Sequence, residues 1–356
     1  MTMNDDVRWK IDGYHEWLDR QDLPIHSGLA IDLMTVETKF WPRIGADAAF
    51  VHLDARGDFC TLHLVDLAPG GSTKQMGHLY EEVVYVLDGR GSTSFELGDG
   101  TRRTFEWGPG SLFSLPLNVR YQHFNASGEQ RARLACVSDL PTVMKLYRNE
   151  QFVFETPFDF TERITDEKFL RGEGLFIPTR EHRHMWETNL VPDLLTFDQL
   201  RESPGRGAGS TNIMFILADG TLHAHASEIP VGGYKKAHVH GEGYHIFQLS
   251  GSGYSLYWYK GEEPIRIDWK YGTLHSPPLG MWHQHFNVSD DPARYLAIGF
   301  GSMRYPFLGE KMRMVDRTYT AKSEFQIDYD EEDPAIRRQF EEERAAFAAK
   351  KAAEAP

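Results

Sequence analysis

The chain repeats itself at one fixed offset. Pro69-Gly70-Gly71, Met76-Gly77-His78, Glu82 and Gly89 stand 162 positions before Val231-Gly232-Gly233, His238-Val239-His240, Tyr244 and Gly251. The same offset joins Trp107 to Trp269, Gly110 to Gly272, Pro116 to Pro278, Tyr121 to His283, His123 to His285, Phe124 to Phe286 and Asn125 to Asn287. A register that holds Gly, Pro, Trp and Asn together over roughly fifty residues marks two copies of one unit. Each copy reads as β. Thr61-Leu62-His63-Leu64-Val65, Val83-Val84-Tyr85-Val86-Leu87 and Tyr254-Ser255-Leu256-Tyr257-Trp258-Tyr259 are β-branched or aromatic runs. Turn dipeptides punctuate them: Pro69-Gly70, Asp88-Gly89, Asp99-Gly100, Pro109-Gly110 and Ser250-Gly251. Many short strands at even spacing predict an all-β sandwich or barrel, twice over.

Helical signals lie outside the copies. Gly13 to Asp19 predicts a short helix, Asp193 to Leu200 another, and the Glu/Arg/Lys/Ala-rich tail from Asp333 to Ala353 a solvated one. The expected domains are therefore 1–150 (a first barrel with an N-terminal extension), 151–209 (a linker with a short helix), 210–310 (a second barrel) and 311–356 (a charged tail, helical). The Gly205–Gly209 run departs too far from a phosphate-loop pattern to be read as more than a turn.

Composition removes several function classes. A net charge of −14 argues against nucleic acid, whose recognition leans on clustered Lys and Arg. No run approaches a membrane span, and the polar N-terminus has no apolar signal core, so a cytoplasmic location is expected. Cys60 and Cys136 both sit in apolar strand-like stretches and read as buried reduced thiols.

The chemistry gathers in the second copy. On a strand, His238 and His240 point to one face, and His283 would reach the same end from another strand. Three neutral imidazoles can hold a transition metal and leave positions open for substrate. The spacing of Gly233, His238, His240 and Gly251, followed by Gly272, Pro278, Gly280, His283 and Asn287, resembles the cupin superfamily. That resemblance implies two tandem cupin barrels, a bicupin of jelly-roll (double-stranded β-helix) architecture. It gives His238, His240 and His283 as metal ligands. Tyr244 stands where cupins usually place a Glu ligand. The second barrel is thereby similar to three-His dioxygenases of the gentisate-cleaving kind. In the first copy Met76 and Tyr121 replace two ligands, leaving His78 and Glu82, with His123 as a substitute. The first barrel is expected to be a degenerate, structural one.

Strand alternation sorts the remaining polar residues. Tyr244 and Gln248 share the inward side with His240, and His285 shares that of His283, so these three are the expected catalytic or substrate-orienting residues. His223 and His225 precede the motif on one strand, His245 should point outward as a surface or interface residue, and His182 and His184 lie in a polar run. The function expected from the resemblance is a non-haem dioxygenase, cleaving a C–C bond of a small phenolic or diketone substrate. It would use one divalent metal, Fe(II) favoured over Mn, Zn, Ni or Cu, together with O2. The alternatives are a non-redox cupin isomerase, decarboxylase or lyase, and a non-catalytic binding bicupin. Family habit implies a homo-oligomer.

Overall fold

A computed structural model describes residues 11–56, 58–179, 184–239, 243–302, 304–305 and 325–354. His240 and His182 lie outside these residues, as does most of the segment before the C-terminal helix. Two β-barrels are observed, each made of a large sheet and a small one. The first pairs an eight-stranded sheet with a three-stranded one, and the second a nine-stranded sheet with a five-stranded one. Equivalent strands carry equivalent registers. Met76 bridges Tyr121 in the first barrel, and His238 faces His283 in the second.

The repeat's punctuation has physical causes. Gly91 and Gly253 leave room for a neighbouring strand: a Cβ there would stand 2.0 Å from the Phe124 carbonyl oxygen or 1.9 Å from that of Phe286. Asn125 donates to the carbonyls of Leu67, Ala68 and Gln130, and Asn287 to those of Ile229, Pro230 and Asp291. Each Asn thus fastens a strand end to the turn beyond it.

The strand Ala132–Ser138 is buried along its whole length, because both of its faces are covered. Leu134 and Cys136 enter the first barrel's interior, while Ala135 and Val137 face the second barrel. One apolar cluster spans both barrels and includes Val51, Leu64, Tyr85 and Val137 from the first with Phe215, Phe247, Leu296 and Ile298 from the second. His245 belongs to this boundary. Its neighbours Tyr244 and Ile246 line the interior, so it points out of its barrel, and it is 0% exposed because that outer face meets the first barrel. Burial holds its imidazole neutral, down at about 3.

The barrels also exchange edges. The N-terminal strand Ala30–Asp32 pairs with Thr273–His275 of the second barrel, while Leu190–Val191, from the segment between the barrels, pairs with Leu112–Ser114 of the first. An arginine, fully buried in the first case, anchors each arm just beyond its strand. Arg133 pairs with Asp66 (2.8 and 2.6 Å) and donates to the Leu33 and Val36 carbonyls. Arg294 pairs with Glu228 and donates to the carbonyls of Leu194, Leu195 and Phe197.

Helices form over Gly13–Asp19 and Pro334–Glu354. No helix forms over 193–200. Asp193 turns its carboxylate onto the Leu195 N–H and the Thr196 hydroxyl, a local closure that competes with helix. The helices between the barrels lie elsewhere, at Leu140–Tyr147 and Glu150–Glu155 and in short 3-10 turns at Thr161–Arg163, Glu167–Arg171 and Pro204–Arg206. Among the described residues no helix is long and apolar enough to cross a membrane. Both cysteines are buried free thiols.

Candidate metal centre

His238 ends the short strand Ala237–His238, and His283 lies near the start of Trp282–Asn287. Their rings meet at 4.1 Å between centroids. Each ring is oriented by the backbone two residues before it. His238 Nδ1 pairs with the Lys236 carbonyl at 2.8 Å, and His283 Nδ1 with the Met281 carbonyl at 3.2 Å. A carbonyl only accepts, so in the neutral ring Nδ1 carries the proton and Nε2 the lone pair. This is the tautomer a metal-binding imidazole needs, with its proton tied to an outer acceptor. The donor chemistry fits a divalent transition metal. His240, the third expected ligand, lies outside the described residues.

The histidines open on a cavity of about 90 Å³ lined by His223, His225, Lys235, Tyr244, His285, Tyr295 and Arg206 among others. His223 Nε2 and His225 Nδ1 are 2.8 Å apart, and the Tyr244 ring stands edge-on to His223 at 5.4 Å. His285 pairs through Nδ1 with the Ser255 hydroxyl (2.7 Å), which also accepts from the Trp269 indole. The first barrel repeats this chain as His123, Thr93 and Trp107. The motif therefore gives His285 a fold-determined orientation as well as a place on the pocket wall.

Gln248 does not line the cavity. It is buried, and its amide donates to His275 Nε2 at 3.0 Å. His275 Nδ1 then carries the proton that goes to the Tyr257 oxygen. Burial holds His275 neutral, down at about 3. Sequence reasoning missed His275, although its repeat counterpart is the apolar Phe113 and a polar group at a core position was a usable signal.

Lys235 was missed too. Its side chain is 1% exposed and stands over the Tyr295 ring at 5.9 Å. Burial, reinforced by the Arg206 charge, pulls its ammonium down to about 7. No carboxylate is among the described residues lining the cavity.

The first barrel's interior differs. His78 Nδ1 pairs with the Tyr80 carbonyl and its Nε2 with the Tyr121 hydroxyl, both at 2.8 Å. Tyr121 thus occupies the direction in which a ligand lone pair would point. Glu82 is buried beside His63, with Oε2 3.7 Å from Nε2. Desolvation pushes the Glu82 carboxyl up to about 8 and His63 down to about 4.

Residues 63–138 match the model of the cupin domain. No curated protein sequence matches the chain significantly. Among solved structures, a variant of oxalate decarboxylase from Bacillus subtilis is similar at 16% identity over 78% of each chain, with a TM-score of 0.49. Another variant of that enzyme is 15% identical over 84% of this chain and 87% of its own, also at 0.49.

Proposed function

We propose that this chain, a bicupin of the cupin superfamily, is a metal-dependent enzyme whose second barrel carries out oxygen-dependent C–C cleavage of a small anionic substrate with adjacent oxygens, phenolic or diketone. The observation that carries the reading is the pair of backbone-locked imidazoles, His238 and His283, facing a cavity that also holds a buried lysine. His238, His283 and, from the sequence, His240 would hold the ion. Fe(II), when bound, would supply a centre at which a chelating substrate and dioxygen meet, and Mn, Zn, Ni or Cu would also suit imidazole.

The chain's own residues perform the rest. Neutral imidazoles bring no negative charge, so a divalent ion would add to the positive field of Lys235 and Arg206. An anionic substrate balances that field. Lys235 is placed to bind its charged oxygen, and Tyr244, beside the His223–His225 pair, to hold or pass a proton. Tyr295, Ile246 and Met214 form walls that exclude water.

The test pairs metal analysis of the purified protein with oxygen consumption on a panel of phenol-carboxylates and diketones. Iron with substrate-dependent oxygen uptake is expected. Product formed without oxygen uptake overturns the dioxygenase assignment in favour of a non-redox isomerase, decarboxylase or lyase. Lys235, as a proton donor titrating near neutrality, is the observation that favours this second reading.

Two further outcomes follow for Lys235. Only its protonated form attracts an anion, so substrate affinity should weaken as pH rises through about 7. Lys235→Met should flatten that pH profile and raise KM by roughly 10- to 100-fold, as loss of a charge-assisted hydrogen bond worth about 1.5–3 kcal/mol requires. Steady-state kinetics between pH 6 and 9 would check both; an unchanged profile would remove Lys235 from the binding site.

A further inference from the structure

The first barrel holds a second cluster of metal-ligating chemistry that the second barrel does not repeat. His63 and Cys136 face each other across antiparallel strands, and Glu82 enters from the strand on the far side of Cys136. One donor atom from each lies within 4.8 Å of the others. The side chains of His63 and Glu82 are 6% and 8% exposed, and Cys136 is 1% exposed. His63 Nδ1 and Glu82 Oε2 are buried without a hydrogen-bond partner. Burying such groups together costs free energy unless something compensates.

Barrel packing does not demand this trio. In the second barrel Tyr244 stands at the Glu82 position, and Ala297, which faces His225 as Cys136 faces His63, replaces the thiol. The donors also differ from the ligand positions of the resemblance, of which only Glu82 is included. His78 and His123 are committed to Tyr121, Tyr80 and Thr93. A cavity of about 220 Å³ runs from the trio toward Arg43 and Arg120, which provides an entry path.

We propose that His63, Glu82 and Cys136 form a metal site in the first barrel, distinct in donor set from the histidine centre of the second. One nitrogen, one oxygen and one sulfur ligand suit Zn(II), or Co(II) as its spectroscopic stand-in. Three protein ligands beside a cavity leave a fourth position for water or a small ligand, the arrangement of a reactive site rather than a closed structural one. The proposal is independent of what the second barrel catalyses.

The experiment titrates Co(II) into the full-length protein, in wild type and in His283→Ala, which lacks the second-barrel ligand. The His283→Ala protein is expected to keep one equivalent of Co(II) with a thiolate-to-metal charge-transfer band. Cys136→Ala, which installs the residue the second barrel carries, should lose that band in either background, whereas Cys60→Ser should keep it. Glu82→Gln should weaken binding by at least about tenfold. Circular dichroism and thermal melting confirm that each variant is folded. Co(II) bound without a thiolate band, or a band indifferent to Cys136→Ala, overturns the site.

Discussion

His283→Ala is expected to strip the second barrel of its metal and abolish turnover, with the fold kept. Truncation would remove a proposed ligand outright, so the loss should exceed the roughly 100-fold in affinity that follows from losing an outer hydrogen-bond partner of a ligand. The variant also leaves the Met281 carbonyl, just after the turn at Leu279-Gly280, without its imidazole donor. Circular dichroism should stay unchanged while elemental analysis shows one fewer ion per chain. His78→Ala makes the contrast. His78 lies in the first barrel with its Nε2 bonded to Tyr121, so second-barrel metal and activity should survive its removal. Equal losses from both substitutions would mean that the two interiors do not act separately, and the assignment of chemistry to the second barrel would fail.

The largest effect on stability is expected at Arg133. Its side chain is 1% exposed and makes two hydrogen bonds to Asp66 and two to carbonyls of the N-terminal arm. Arg133→Ala leaves a 7%-exposed carboxylate with only the half-exposed Arg131 as a counter-ion. Breaking a buried pair from one side costs about 3–5 kcal/mol. Arg131 and Thr38, which also reach Asp66, should keep the loss near the lower end. Urea unfolding would measure it. The same variant carries a positional signature, because the carbonyls it frees belong to the arm that completes the second barrel's sheet. Hydrogen exchange should therefore quicken at Ala30–Asp32 and Thr273–His275, far along the chain from the substitution. A loss below about 1 kcal/mol would show that the arm is held by packing alone.

Much of the architecture was legible because the repeat was. One offset fixed the two barrels and set Met76 and Tyr121 against His238 and His283, and the structure reproduces those pairings strand for strand. What escaped had specific causes. Alternation aimed His245 out of its barrel correctly, but it could not say that the outside of that strand is the first barrel rather than solvent. Lys235 sits in a Tyr-Lys-Lys stretch whose composition is that of a surface turn; only the fold shows that one lysine of the pair turns inward. The Asp193–Leu200 segment has helical composition, yet a single carboxylate redirects it. The exchanged strands are two and three residues long and pair across most of the chain, so no local pattern announces them. The His63, Glu82 and Cys136 trio is likewise assembled from three strands, each apolar on reading, and is visible only as a meeting in space.

The reciprocal exchange of edge strands bears on how such a chain arose and how it can be divided. Each half lacks part of its own sheet and supplies the missing part to the other, and each fastens its arm with an arginine–carboxylate pair. That is the geometry of a two-fold dimer whose subunits have been joined end to end. Neither half is then a module. Cut near residue 209, each piece would carry an unpaired sheet edge and an uncovered apolar face, and the cheapest remedy is to re-pair with a copy of itself or with the other piece. A symmetric dimer of identical subunits must keep the same side chains in both barrels, whereas a single chain is free to set His238 against His283 in one and Met76 against Tyr121 in the other.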